Sequence, residues 1–271
     1  MNEAQLARYL ARIGHRGDVR PDLDTLRSLH RAHVTAIPFE ALDAQLGRVP
    51  SLDPNAIFAK LVEQPRGGWC FETNGLFGQA LEAIGFSVTR LSCGVMRQDG
   101  GDERMGTHLA LLVDCGGLWL CDVGFGGSLF EPLPLEPGER EQAPYKLSLQ
   151  QVDDGYWRYT QHLDAPFSYD FRAEPADEAL FAEKCLWLAR HPESNFTLNF
   201  IAQRRFPTRH LILRGRVLTE HGPEGTTSRT VTDSREFVET LAGRFGIDDP
   251  RAMEIWPQVL ARHTELFETA A

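Results

Sequence analysis

RGGWCFETNGLFGQALEAIGFSVTRLSCGVM, residues 66–96, holds the switch on which the fold turns. Its first part sets Phe77, Ala80, Leu81 and Ile84 on one side of a helix running from about Cys70 to Ile84, and Gly85 stops it. Directly after that glycine, FSVTRLSCGVM is rich in β-branched and aromatic residues and reads as a strand.

Working outward, everything upstream reads as helix. Leu6, Tyr9, Leu10 and Ile13 form one apolar stripe, and Leu23, Leu26, Leu29 and Val34 form another that closes at Ile37-Pro38. Asp53-Pro54 is an N-cap followed by a first-turn proline; Ile57, Phe58, Leu61 and Val62 give that helix its core face, and Pro65 ends it. Downstream, THLALLVD, LWLCDVGF, YKLSLQQV and YWRYTQHL read as strands, and four prolines make Glu131–Pro144 a loop. HLILRGRVLTEH and TSRTVTD are expected to be strands around a Gly-Pro turn. A helix over Ser234–Phe245 is opened by Asp233 with Glu236 at capping-box spacing, and a last helix starts at Asp249-Pro250. Helices, then strands, then a mixture predict an α+β protein, with boundaries at 1–85, 86–193 and 194–271.

The chain has 271 residues and a net charge of −10, which argues against a general nucleic-acid surface. No apolar run is long enough to span a bilayer, and the charged N-terminus does not read as a signal peptide. The cysteines, at 70, 93, 115, 121 and 185, are odd in number and lack CxxC or zinc spacing. A reduced, cytoplasmic protein with no metal is expected.

Cys70 stands at a helix start behind Gly67 and Gly68. Unpaired amides and the helix dipole there favour thiolate, the reactive form, and suit a developing oxyanion. The glycines permit close backbone approach and unusual dihedrals. A buried structural cysteine is the competing reading. His108 and Asp122 flank Cys115-Gly116-Gly117 in an antiparallel hairpin. If 113 pairs with 117, 108 stands opposite 122, and any register of that parity puts both side chains on one face. A two-residue turn puts them on opposite faces. A thiol, an imidazole and a carboxylate in that relation form a nucleophile, its base and an orienter.

Two further motifs leave alternatives open. GFGG at 124–127 leads into a proline-rich stretch rather than a helix, which rejects a dinucleotide-binding site but leaves backbone contact with a pyrophosphate possible. Arg204, Arg205, Arg209, Arg214 and Arg216 are either a solvated strand edge or a phosphate-docking surface.

Three blocks carry a family resemblance. IPFEALD at 37–43, RGGWCFETNGLF at 66–77 and THLALLV…WLCDVGFGG at 107–127 are similar to the motifs of the arylamine N-acetyltransferases, and HPESNFTLNFIAQRR resembles a fourth stretch less tightly. The resemblance implies a helical bundle, a β-barrel-like domain and an α/β lid around a papain/transglutaminase-like thiol core. It implies acetyl-CoA as co-substrate, no permanently bound cofactor, a small aromatic amine or hydrazine as acceptor and a ping-pong route. A homodimer is the assembly considered, with neither nucleic acid nor membrane as partner. It makes Cys70 the acetylated nucleophile, His108 the base and Asp122 the orienter. It sets Phe39, Phe125 and Phe130 around the acceptor, Thr107, Gly126 and Gly127 near the CoA arm, and Glu40 with Arg66 as a supporting ion pair. Ala41 and Trp69 depart from the family's usual asparagine and tyrosine or phenylalanine. The alternatives are a thiol amidohydrolase, an acyltransferase using another CoA thioester, and a non-catalytic binding protein that retains the fold.

Overall fold

The computed structural model describes residues 1–125, 129–163 and 165–267. Helix α1 (Glu3–Arg12) is opened by Asn2, whose side chain accepts from the Gln5 N–H while Gln5 reciprocates. Helix α2 (Leu23–Ala36) is capped by Asp22, and β1 (Phe39–Glu40) and the single turn α3 (Leu42–Gln45) follow. In α4 (Pro54–Glu63) the Asp53 carboxylate accepts from the Asn55 and Ala56 N–H groups, as the Asp-Pro signature predicts. Helix α5 (Cys70–Ile84) is buried on nearly all sides and ends at Gly85, whose φ of 108° a β-carbon disfavours.

The strands β2 (Ser87–Val95), β3 (His108–Asp114) and β4 (Leu118–Cys121) are joined by the turn α6 (Arg97–Gly100) and a tight loop. They are followed by β5 (Leu133–Pro134), β6 (Gly138–Gln142), β7 (Tyr145–Gln151), β8 (Trp157–His162) and β9 (Phe167–Phe171). These eight pair antiparallel in the order β5-β4-β3-β2-β9-β8-β7-β6. The edges β5 and β6 are consecutive in the chain, separated by residues 135–137 alone. Laid flat, eight strands put their edges roughly 34 Å apart, whereas four peptide steps reach about 14 Å. The sheet therefore has to curl into a half-barrel. Gln142 seals it: its Oε1 accepts from the Phe130 and Glu131 N–H groups at 2.7 and 3.0 Å, and its Nε2 donates to the Glu131 carbonyl. Leu91, Leu112, Leu120, Leu147, Tyr159, Tyr169 and Phe171 fill the concave core.

Helix α7 (Glu178–Arg190) follows the half-barrel but buries Phe181 and Cys185 in the cluster formed by α1, α2, α4 and α5. After the turn α8 (Asn195–Leu198), strands β10 (Ile201–Arg205), β11 (His210–Arg214), β12 (Val217–Gly222) and β13 (Gly225–Thr230) form a second sheet, with β1 pairing β10. One face of this sheet packs on α9 (Ser234–Thr240), the turn that follows it and α10 (Trp256–Phe267). The mixed α+β architecture agrees with expectation, and a few elements differ. The proline-rich stretch read as a loop contributes β5 and β6, because an edge strand tolerates a residue that donates no hydrogen bond. HLILRGRVLTEH breaks into two strands at Gly215, where φ is 56°. The helix expected over Ser234–Phe245 becomes a π turn from Leu241, and residues 250–255 form a 3-10 turn before α10. Helix α7 and β9 were not anticipated.

Candidate active site

The lead-in to α5 explains its glycines. A β-carbon on Gly67 would overlap the Pro38 carbonyl oxygen, and one on Gly68 would sit 2.6 Å from the Glu72 carboxylate. The Glu40 N–H donates to the Gly68 carbonyl at 3.0 Å, so β1 runs directly against this segment. Neither glycine has a positive φ; close approach is their role, and the expected unusual dihedrals are absent. The Glu72 carboxylate accepts from the Trp69 N–H at 3.2 Å and from the Lys60 ammonium at 2.8 Å, which pins the first turn.

Strands β3 and β4 pair from Asp114↔Leu118 to Leu111↔Cys121, with Cys115, Gly116 and Gly117 as the loop. This register is shifted by two from the one that sets 108 opposite 122, so its parity is preserved. His108 and Asp122 share a face diagonally, and His108 Nε2 donates to Asp122 Oδ2 at 2.8 Å. Nδ1 is left for Cys70, which is a hydrogen-bonding and charge partner of this imidazole. Burial alone pulls His108 down, but Asp122 and then Cys70 outweigh it, and its pKa is pushed up to about 10. Burial works against the Asp122 carboxylate as well, yet His108, Asn74 and the Gly124 N–H hold it below its usual range. All three side chains are at most 5% exposed.

Several residues that the sequence did not single out complete the site. Asn74, one turn along α5 from Cys70, donates from Nδ2 to Asp122 Oδ1 at 2.8 Å and to the Leu109 carbonyl at 2.7 Å, while its Oδ1 accepts from the Val123 N–H. His30 accepts from the Asp122 N–H at Nε2 and donates from Nδ1 to the Phe130 carbonyl, both at 3.2 Å. Those two bonds require a neutral ring, and burial pulls its pKa down to about 4. Tyr169 lies against the His108 ring with centroids 4.9 Å apart. A buried polar side chain inside an apolar helix was the one available signal for Asn74; nothing local marked His30 or Tyr169.

The remaining expected residues distribute as follows. Phe125 packs on His108 with centroids 5.0 Å apart and stacks with Phe167. Phe39 contacts Phe196, which also meets the Trp69 indole edge-on. Phe130 lies under the Arg205 guanidinium. The Thr107 hydroxyl accepts from the Val95 N–H and donates to the Arg104 carbonyl. Gly126 and Gly127 lie outside the described residues. Glu40 and Arg66 pair at 2.7 Å, and Arg66 also reaches Asp249 at 2.7 Å and Asp43 at 3.3 Å. The arginine cluster disperses: Arg204 and Arg205 project from opposite faces of β10, Arg209 pairs with Glu220, and Arg216 donates to the Val231 carbonyl. Among the described residues no group of three or more ligating side chains could hold a metal, and no helix is long and apolar enough to cross a membrane.

The family model for N-acetyltransferase matches residues 22–252. The arylamine N-acetyltransferase of Mycolicibacterium smegmatis is 38% identical over 253 residues, covering 90% of this chain and 92% of that protein. The solved arylamine N-acetyltransferase of Salmonella typhimurium superposes with a TM-score of 0.87 at 30% identity, covering 96% of this chain and 100% of that one. The Mycobacterium marinum enzyme, solved in complex with CoA, superposes with a TM-score of 0.84 at 32% identity, covering 95% and 97%. With its thiol, imidazole and carboxylate assembled on that shared scaffold, this chain belongs to the arylamine N-acetyltransferase family.

Proposed function

We propose that this protein transfers the acetyl group of acetyl-CoA to an arylamine, aryl hydrazine or N-hydroxyarylamine by way of an acetylated Cys70, with His108 and Asp122 as its partners. The observation that carries the reading is the 2.8 Å His108–Asp122 bond on the ring that also engages Cys70. The imidazole held between the carboxylate and the sulfur takes the Cys70 proton, and the thiolate so formed is the nucleophile. The thiolate adds to the acetyl carbonyl, with the first-turn amides of α5 available to the oxyanion. The adduct expels CoA thiolate, which takes the His108 proton and leaves as CoA. The amine nitrogen then attacks acetyl-Cys70, neutral His108 takes its proton, and the Cys70 thiolate departs, restoring the starting ion pair. Asp122, fixed by Asn74 and the Gly124 N–H, holds the ring orientation throughout.

Acetyl-CoA without acceptor is expected to add one acetyl group at Cys70 by intact mass. No adduct on an alkylatable thiol would overturn the reading. Initial rates with an arylamine panel are expected to give parallel double-reciprocal lines. Donor profiling separates other CoA thioesters, and rapid hydrolysis of acetyl-Cys70 would favour an amidohydrolase. The cytoplasmic assignment rests on five free thiols.

A further inference from the structure

The glutamate that caps α5 carries a charge that opposes a nucleophile on the same turn. Cys70 is the first residue of the helix and Glu72 the third. The Glu72 carboxylate accepts at 3.2 Å from the N–H of Trp69, the residue before Cys70, and its side chain is 2% exposed. A buried carboxylate at that place offsets the positive end of the helix, which a thiolate and an oxyanion on the first turn both use. Lys60 of α4 supplies the counter-charge. Its ammonium donates to both Glu72 oxygens, at 2.8 and 3.0 Å, and among the described residues it is the one cation in contact with them. Asp43 of α3 meets the ammonium at 2.6 Å and Arg66 at 3.3 Å, and Arg66 is held in turn by Glu40 of β1 and by Asp249. Cys185 of α7 is a charge neighbour of Cys70, Glu72 and Lys60 alike, so sulfur, carboxylate and ammonium all lie near one buried thiol.

Burial raises the Glu72 carboxyl above its ordinary range, against the pull of Lys60. Burial also works against the Lys60 ammonium, but Glu72, then Glu40 and Asp43, outweigh it and its pKa is raised. The two charges sustain each other, because removing one partner leaves the other buried and uncompensated. We propose that Lys60 is a positioning residue for the nucleophile and acts through Glu72: it cancels the carboxylate charge, so that Glu72 caps the first turn of α5 without opposing the Cys70 thiolate. The inference rests on the acetyl-transfer reading for the role of Cys70 and on nothing else in it.

The test follows alkylation of Cys70 by iodoacetamide, read by peptide mass between about pH 5 and pH 8.5, with no acetyl-CoA present. Lys60→Met leaves Glu72 without its counter-charge. At the upper end of that range its alkylation is expected to be slower than native by about threefold or more, and to recover as pH falls and Glu72 takes up a proton. An ordinary thiol shows the opposite trend. Adding Glu72→Gln, whose amide oxygen can still accept from the Trp69 N–H, is expected to restore the native profile, and Lys60→Arg to keep it. A Lys60→Met profile that matches the native one overturns the proposal. So does a loss that Glu72→Gln leaves in place, which is what a purely structural role gives. If Lys60→Met does not fold, Glu72→Gln alone decides: it is expected to be alkylated at least as fast as the native protein throughout, and slower alkylation overturns the proposal. A native Cys70 that is alkylated but takes no acetyl group from acetyl-CoA fails the acetyl-transfer reading instead.

Discussion

Asn74 Nδ2 donates to Asp122 Oδ1 at 2.8 Å, which ties the helix that carries Cys70 to the carboxylate that orients His108. The same amide holds the Leu109 carbonyl and the Val123 N–H, so one side chain sets the spacing between α5 and both strands of the hairpin. Asn74→Ala takes one buried partner from each of these groups, while Asp122 keeps the Gly124 N–H and His108. A loss of about 2–3 kcal/mol in urea unfolding is expected, with a fall of tenfold or more in the rate of Cys70 acetylation. An unchanged acetylation rate would mean that the strands hold Asp122 without help.

The proton on His108 governs both reactivity and alkaline stability. With its pKa raised to about 10, the ring stays charged and Cys70 alkylation by iodoacetamide is expected to be flat through neutral pH. Asp122→Asn removes the first-ranked opposing charge, so alkylation becomes pH-dependent and slower at neutrality. A raised folded-state value gives stability that is complete below the unfolded value of about 6.5 and lost as pH rises through about 10. That alkaline loss is expected to shrink in the variant, as read from urea melts across the window.

Acid acts through the neutral imidazoles. Burial pulls His30 down to about 4 and also depresses His33 and His210. The unfolded chain takes up these protons near pH 6.5 and the folded one does not, so stability falls as pH drops from there towards 4. His30 alone accounts for about 2 kcal/mol between pH 7 and pH 5. His30→Gln is expected to reduce this slope in urea melts; an identical slope would contradict a neutral ring at that place.

Gly124 is required for contact between the hairpin and α5. A β-carbon there would lie 2.7 Å from the Cys70 Cα and 2.9 Å from Asn74 Nδ2. Gly124→Ala is expected to cost about 1–3 kcal/mol in a thermal or urea melt and to reduce acetylation tenfold or more. Gly243→Ala, where a β-carbon meets nothing within 4 Å, serves as the matched control with native-like activity. Equal effects from the two would show that contact with α5 is not what Gly124 provides.

The sequence made the ends of elements legible where local chemistry decides them. Asp53-Pro54, Gly85 and Asp233 with Glu236 each fix a terminus through groups within a few residues, and the structure ends its helices there. Helix α7 carries a weaker apolar pattern and depends on α1, α2, α4 and α5 to cover it, so its own residues mark it only faintly. Strands β5 and β6 are marked weakly because proline lies in or beside them, which the two edges of a sheet tolerate.

For the site, residue types and blocks brought Cys70, His108 and Asp122 forward, and the three-residue loop kept the parity that puts the last two on one face. What the sequence alone determined is the chemistry on offer and the periodicity that presents it. The Asn74 bridge, the His30 tautomer and the burial of the Arg205 guanidinium were decided by the tertiary structure. Each depends on packing between segments that lie tens to more than a hundred residues apart in the chain, where burial removes water and leaves a polar group to be satisfied by whichever partner the fold brings to it.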